Sequence, residues 1–131
     1  MSVTRTGAGI SRQAYGLRSR IFEVERWLAD ASCGVFEVHP ELCFTELLGG
    51  APPVASKKTW HGMVERRRAL EAAGITLDAI DVAVGSVVPV DDMLDAAAAA
   101  WTATRLLAGT ARSIPSVPSQ FAGSRAIAIW V

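Results

Sequence analysis

The chain has 131 residues, half of them hydrophobic and one fifth charged, so it is long enough and apolar enough to fold around one modest core. Its 13 Lys and Arg side chains equal its 13 Asp and Glu side chains, which excludes a global basic field for nucleic acid. Two cysteines without CxxC spacing argue against a structural zinc site and favour a reducing cytoplasm. The polar start does not resemble a signal peptide, and no run approaches the ~18 apolar residues of a membrane span.

The first predicted element is a long amphipathic helix. Residues 1–8 are predicted to form a flexible lead-in. From Gly9 to Ala29 apolar side chains recur at steps of three and four, which predicts a helix with one apolar stripe, and Gly16 weakens it locally. The stripe consists of Ile10, Ala14, Leu17, Ile21, Val24 and Leu28.

A short strand is predicted next, with an acid inside it. Val35, Phe36 and Val38 are typical of a central strand that is buried on both faces. Glu37 lies among them, and a buried carboxylate is costly unless it is paired or bound to a metal. Two interpretations stay open at this point: a metal ligand near the carboxyl end of a strand, where sites of open α/β sheets lie, or a salt bridge to an arginine.

The segment after this strand predicts two helices joined by a basic loop. His39 is either a metal ligand or general base, or a hydrogen-bonding residue at a helix edge. Pro40 suits the first turn of a helix that Gly49-Gly50 ends. Residues 51–58 are predicted to be a loop, and Thr59 to cap a helix that runs to Ala73 on a largely solvated surface, with Gly74 as its stop. In the loop, Lys57 and Lys58 are weak candidates for phosphate binding near a helix N-terminus, or are simply solvated.

One long helix is predicted in the second half, and the segment before it fits more than one structure. Residues 75–88 are compatible with a helix, a strand or an apolar loop. A helix is predicted from Asp92 to Ala108, residues 109–124 are predicted to be loop, and the closing AIAIWV is predicted to be a strand.

Three acids, Asp91, Asp92 and Asp95, stand at the start of the long helix. Asp92 and Asp95 are three residues apart and so share one helix face. Two carboxylates that close repel each other unless a positive charge lies between them, and a divalent metal is one candidate. The alternative is that acids in a first turn simply suit the helix dipole, with Asp91 capping free N–H groups.

These motifs together resemble a known family, domain of unknown function 429, described as a predicted nuclease of the RNase H-like superfamily. The resemblance rests on EVHPE, on SKKT followed by Gly62 and Glu65-Arg66, on DDMLDA followed by Trp101, and on the closing IWV. It covers the chain from about Gly9 to Val131. The D-x-x-D-A pattern on a late helix also resembles RuvC-type Holliday junction resolvases, whose last catalytic acids lie on such a helix.

The resemblance implies a metal-dependent nuclease that hydrolyses phosphodiesters with Mg²⁺ or Mn²⁺, and possible binding to nucleic acid. Glu37 matches the strand-four acid, and Asp92 and Asp95 match the helix acids, so these three are the implied catalytic residues and metal ligands. Asp91 and His39 are possible accessory residues.

The opening strands of that family, with a GVDG-like segment and an ID-x-P motif, have no counterpart before Gly9. We therefore expect an α/β, helix-rich, incomplete RNase H-like fold without the N-terminal strands: a single domain over residues 1–131, from a truncated or split protein. Such a chain should be inactive alone and should self-associate or bind a partner chain that supplies the strands. The alternative is a non-catalytic interaction module with the same fold.

Overall fold

The computed structural model describes residues 11–78, 85–120 and 127–131. The chain divides into two compact units, residues 1–35 and residues 36–131. The described part is mixed α/β, with more helix than strand. Its elements are α1 (Arg12–Gly16), α2 (Arg18–Ala29), β1 (Glu37–Val38), α3 (Pro40–Leu47), α4 (Trp60–Ala72), α5 (Val90–Ala108), β2 (Ser113–Ser119) and β3 (Ile127–Trp130).

The first unit contains α1 and α2 where the sequence predicts one helix. The helix is interrupted at Leu17, directly after Gly16, whose backbone freedom lowers helix stability. The predicted start at Gly9 lies outside the described residues. Helix α2 contains no buried residue. Its large apolar side chains are about half exposed: Ile21 52%, Phe22 52%, Val24 48% and Trp27 55%.

Helices α3 and α4 begin and end at the predicted signals. Pro40 occupies the first turn of α3, where its missing N–H leaves no bond unmade. Gly49 and Gly50 follow that helix with φ of 75° and 99°, a backbone region that favours glycine. Thr59 caps α4 through its side chain, and Gly74 follows the helix with φ 83°.

Helix α5 is the long predicted helix and begins two residues earlier than expected. Its N-cap is Pro89, which makes no side-chain cap, so Asp91 is not the N-cap residue. Asp91 lies inside the first turn instead. The predicted stop is confirmed at Gly109, which has φ 68°.

The described sheet has three strands in the order β1-β3-β2. Strand β1 runs parallel to β3, with Glu37 opposite Ile129, and β2 runs antiparallel to β3. The prediction of a central, doubly buried first strand is wrong: β1 has two residues, lies at one edge of this sheet, and Phe36 before it is 47% exposed. The predicted loop over residues 109–124 contains β2, because an outer strand tolerates the prolines that suggested a loop.

The core of the second unit lies between the helices and the sheet. Phe44, Leu70, Leu94 and Val131 are almost completely buried and belong to one cluster. Ala97 and Ala98 of α5 are buried in the same cluster, and their small side chains let neighbouring elements approach closely. This packing fixes α5 against α3 and α4 and so sets the position of its acidic first turns.

Candidate functional site

The basic loop before α4 is held by side chains of α4 itself. The Glu65 carboxylate accepts hydrogen bonds from the backbone N–H groups of Val54 at 3.0 Å and Ala55 at 3.2 Å. These two bonds lower the pKa of Glu65, since they stabilise its charged form. Arg66 donates to the carbonyl oxygen of Ala55 at 2.9 Å. Consecutive residues of α4 therefore fix the loop backbone just before the two lysines.

A close backbone approach fixes the other end of the loop. A Cβ atom added at Gly62 would lie 2.1 Å from the carbonyl oxygen of Ser56, so only glycine fits here. The Thr59 hydroxyl accepts a hydrogen bond from the Gly62 N–H at 3.1 Å and donates one to the Ser56 oxygen at 2.7 Å. The motif S-K-K-T-x-x-G thus folds as one rigid corner in which Lys57 and Lys58 are presented from a constrained backbone.

Both lysines bind the aspartates of α5. The Lys57 Nζ lies 2.5 Å from Asp95 Oδ2 and 4.0 Å from Asp91 Oδ2. Lys58 donates a hydrogen bond to Asp91 Oδ2. Asp91 and Asp95 are four residues apart and share one helix face. We name these four residues the acid–lysine cluster; it joins the loop to the first turns of α5.

The electrostatics of the cluster fix its protonation state. The hydrogen bond from Lys58 lowers the pKa of Asp91, and the hydrogen bond to Asp95 raises the pKa of Lys57. Lys57 therefore stays an ammonium and Asp91 a carboxylate at neutral pH. In this state Lys57 has no free electron pair to act as a base, and Asp91 has no proton to give as an acid.

One oxygen of the cluster is left without a partner. Asp95 Oδ1 is buried and accepts no hydrogen bond within the described part of the chain. Asp95 Oδ2, by contrast, is bound by Lys57. A buried carboxylate oxygen without a donor is unusual in a folded protein, so Asp95 is incompletely satisfied by the lysine alone.

Glu41 and Arg66 form a second ion pair beside the cluster. Glu41 lies in the first turn of α3 and accepts from Arg66 Nη2 at 2.7 Å and from Nε at 3.3 Å. Arg66 is 2% exposed, and its guanidinium lies 5.5 Å from the ring centre of Phe44. The charge of Glu41 also acts on Lys57, although less than Asp95 and Asp91 do. This pair connects α3 to α4.

The prediction of a largely solvated surface for α4 is therefore wrong at Arg66. The signal was present in the sequence, because Arg66 follows Met63 by three residues and precedes Leu70 by four. Those positions share one helix face, and Leu70 is in the core. The structural role of Glu41 was likewise missed, since an acid in a first turn is adequately explained by the helix dipole.

The remaining predicted site residues lie outside the acid–lysine cluster. Glu37 is exposed on β1, and Asp92 is exposed on α5. His39 is the N-cap residue of α3 and makes no side-chain cap. Across residues 11–78, 85–120 and 127–131, the side chains of these three residues make no hydrogen bond or ion pair.

The described residues do not offer a ready metal centre. Among them, no group of three or more His, Cys, Asp or Glu side chains is placed to hold a metal ion. The two acids that do face one another, Asp91 and Asp95, are bound by ammonium groups. Binding of Mg²⁺ or Mn²⁺ by Glu37, Asp92 and Asp95 stays a prediction.

None of the helices in the described ranges has the length and hydropathy needed to cross a bilayer.

Comparisons with known proteins identify the family. Searches of curated proteins and of solved structures gave no significant match. The family model described as "Protein of unknown function (DUF429)" matches residues 1–120. That match covers most of the chain, which therefore belongs to the DUF429 family.

Proposed function

We propose that this chain carries part of an RNase H-like, metal-dependent nuclease site, and that this part does not cleave phosphodiesters by itself. The observation that supports the proposal is the acid–lysine cluster. Carboxylates on a late helix and a basic loop are the two components that phosphodiester hydrolysis draws on, one to hold metal ions and the other to bind phosphate oxygens. Here both components lie at one place, within hydrogen-bond distance of each other.

The same contacts explain why the cluster should be inactive. Both lysines are already bound to carboxylates, so a phosphate would have to compete with Asp91 and Asp95 for them. A two-metal site needs several carboxylate ligands around both ions, and Glu37 and Asp92 lie outside the cluster. The neutral net charge of the chain gives no strong attraction to a polyanion.

A nuclease assay tests this proposal. The chain would be incubated with single- and double-stranded DNA and RNA, with Mg²⁺ or Mn²⁺, beside Asp92→Asn and Asp95→Asn variants. Glu25→Gln, which removes an exposed acid of α2, is the matched control. We expect no cleavage above background for any of them. Robust cleavage by the unmodified chain, lost in an aspartate variant and kept in the control, would contradict the inactive state and support a complete nuclease.

A second candidate function is that of an interaction module or a subunit that binds a partner chain. The observation that favours it is the set of large apolar side chains exposed on α2: Ile21, Phe22 and Trp27 are each more than half exposed. Large exposed apolar patches commonly mark sites of association. Light scattering over a concentration series tests it. Self-association that is reduced by Phe22→Glu supports this candidate, and a stable monomer of both forms at high concentration contradicts self-association.

A further inference from the structure

The Lys57 ammonium lies where two carboxylates converge. Its Nζ is 2.5 Å from Asp95 and 4.0 Å from Asp91, and these acids lie on successive turns of α5. Their side chains are only 21% and 12% exposed, so water screens their repulsion incompletely. A positive charge at this position removes the repulsion, and the chain supplies that charge itself.

The lysine is held at this position by its backbone as well as by the acids. Glu65 binds two N–H groups of the loop, and the Gly62–Ser56 approach fixes the residue directly before Lys57. Lys58 differs from Lys57 in its exposure and in the number of carboxylates near its ammonium. Its side chain is 71% exposed, and the only carboxylate that it binds in the described chain is Asp91.

We propose that Lys57 is an internal counter-cation. It occupies the position between Asp91 and Asp95 that a divalent ion would otherwise take, so the chain keeps this part of its fold without a metal. The proposal concerns the same cluster as the proposed function but does not depend on nuclease activity. It explains how two acids on one face of α5 are tolerated although the described residues contain no three-ligand metal group.

Removal of the ammonium should convert the cluster into a cation site. Lys57→Met keeps most of the stem and deletes the charge, which leaves the Asp95 carboxylate without its ammonium, its Oδ1 still unpartnered in the described chain, beside an Asp91 that keeps its bond from Lys58. Repulsion between an ammonium and a divalent ion a few ångströms apart disfavours the ion by at least about tenfold, even with strong screening. The variant should therefore bind Mn²⁺ at least about tenfold more tightly than the unmodified chain.

The experiment measures free Mn²⁺ by electron paramagnetic resonance during titration of the full chain, and thermal unfolding with EDTA or Mn²⁺. Lys58→Met is the matched control and should change Mn²⁺ affinity much less, because Lys57 stays in place. Lys57→Met combined with Asp95→Asn should lose the gained affinity. If Lys57→Met does not fold in EDTA, Mn²⁺ should restore its circular dichroism spectrum.

Three outcomes would overturn the proposal. The first is that the unmodified chain binds Mn²⁺ as tightly as Lys57→Met. The second is that Lys57→Met shows neither binding nor stabilisation by Mn²⁺. The third is that the gained affinity survives Asp95→Asn. These outcomes are distinct from those of the nuclease assay. Cleavage by the unmodified chain would contradict the inactive state, whereas the Mn²⁺ titration reports only on which cation occupies the cluster.

Discussion

Replacement of Gly62 by alanine should destabilise the protein, although alanine is the better helix former. Gly62 lies in the first turns of α4, and the added Cβ would lie 2.1 Å from the Ser56 carbonyl oxygen and 2.8 Å from that of Ala55. Both atoms belong to backbone, which cannot rotate away as a side chain could. The loop would have to move by about 0.9 Å to reach even the 3.0 Å limit of real Cβ contacts.

The size of the effect follows from one stabilising term and two destabilising terms. The change from glycine to alanine inside a helix stabilises by about 1 kcal/mol. Against this, forcing a methyl group into a filled space costs about 1–3 kcal/mol. A displaced loop also weakens the hydrogen bonds of Thr59 and Glu65, each with a net value of about 1 kcal/mol. The two destabilising terms together are larger, so we expect the free energy of unfolding to fall by about 2 kcal/mol.

Urea unfolding followed by the fluorescence of the four tryptophans measures this loss. Gly16→Ala is the matched control, since a Cβ there meets nothing within 4 Å and the backbone carries no positive φ. The control should leave the free energy of unfolding unchanged or slightly higher. A Gly62→Ala variant as stable as the unmodified chain would refute the close approach of loop and helix, and with it the rigid presentation of Lys57.

Three further predictions concern other parts of the second unit and the exposed thiol. Arg66→Met should lower the free energy of unfolding by about 2 kcal/mol, because the part-exposed Glu41 loses its ion pair and the Ala55 and Gly62 carbonyl oxygens lose their donor; an unchanged urea midpoint would contradict these contacts. Glu65 has a pKa below its ordinary value of 4.5, so its stabilisation is present above about pH 4.5 and is lost as the pH falls through the lower folded-state pKa. Urea midpoints at successive pH values should therefore fall less steeply with acid in Glu65→Gln than in the unmodified chain. Burial raises the pKa of the Cys43 thiol, whereas Cys33 is exposed, so a thiol reagent should modify one cysteine in the folded chain and two in urea.

The helices could be predicted from the sequence because their signals are local. Pro40 and Thr59 mark helix starts through the backbone N–H groups of the first turn, and Gly74 marks a stop through its positive φ. Each signal acts within a few residues, so no tertiary contact is needed to interpret it. The interruption near Gly16 follows the same logic.

The sheet and the site depend on contacts between distant residues, and these were predicted less well. The prolines of β2 indicated a loop, yet the strand forms because it lies at the outside of the sheet beside β3. Lys57 was predicted as a phosphate ligand and Asp95 as a metal ligand, 38 residues away along the chain. The sequence drew attention to both residues, but local spacing gave no information that the two would bind each other.

The most direct test of this account is a double-mutant cycle between Lys57 and Asp95. The free energy of unfolding would be measured for the unmodified chain, Lys57→Met, Asp95→Asn and the double variant. The contact at 2.5 Å between partly shielded side chains predicts a favourable coupling of about 1 kcal/mol, at the upper end for exposed ion pairs. A coupling of zero would show that Lys57 does not neutralise the acids of α5, and would contradict the account.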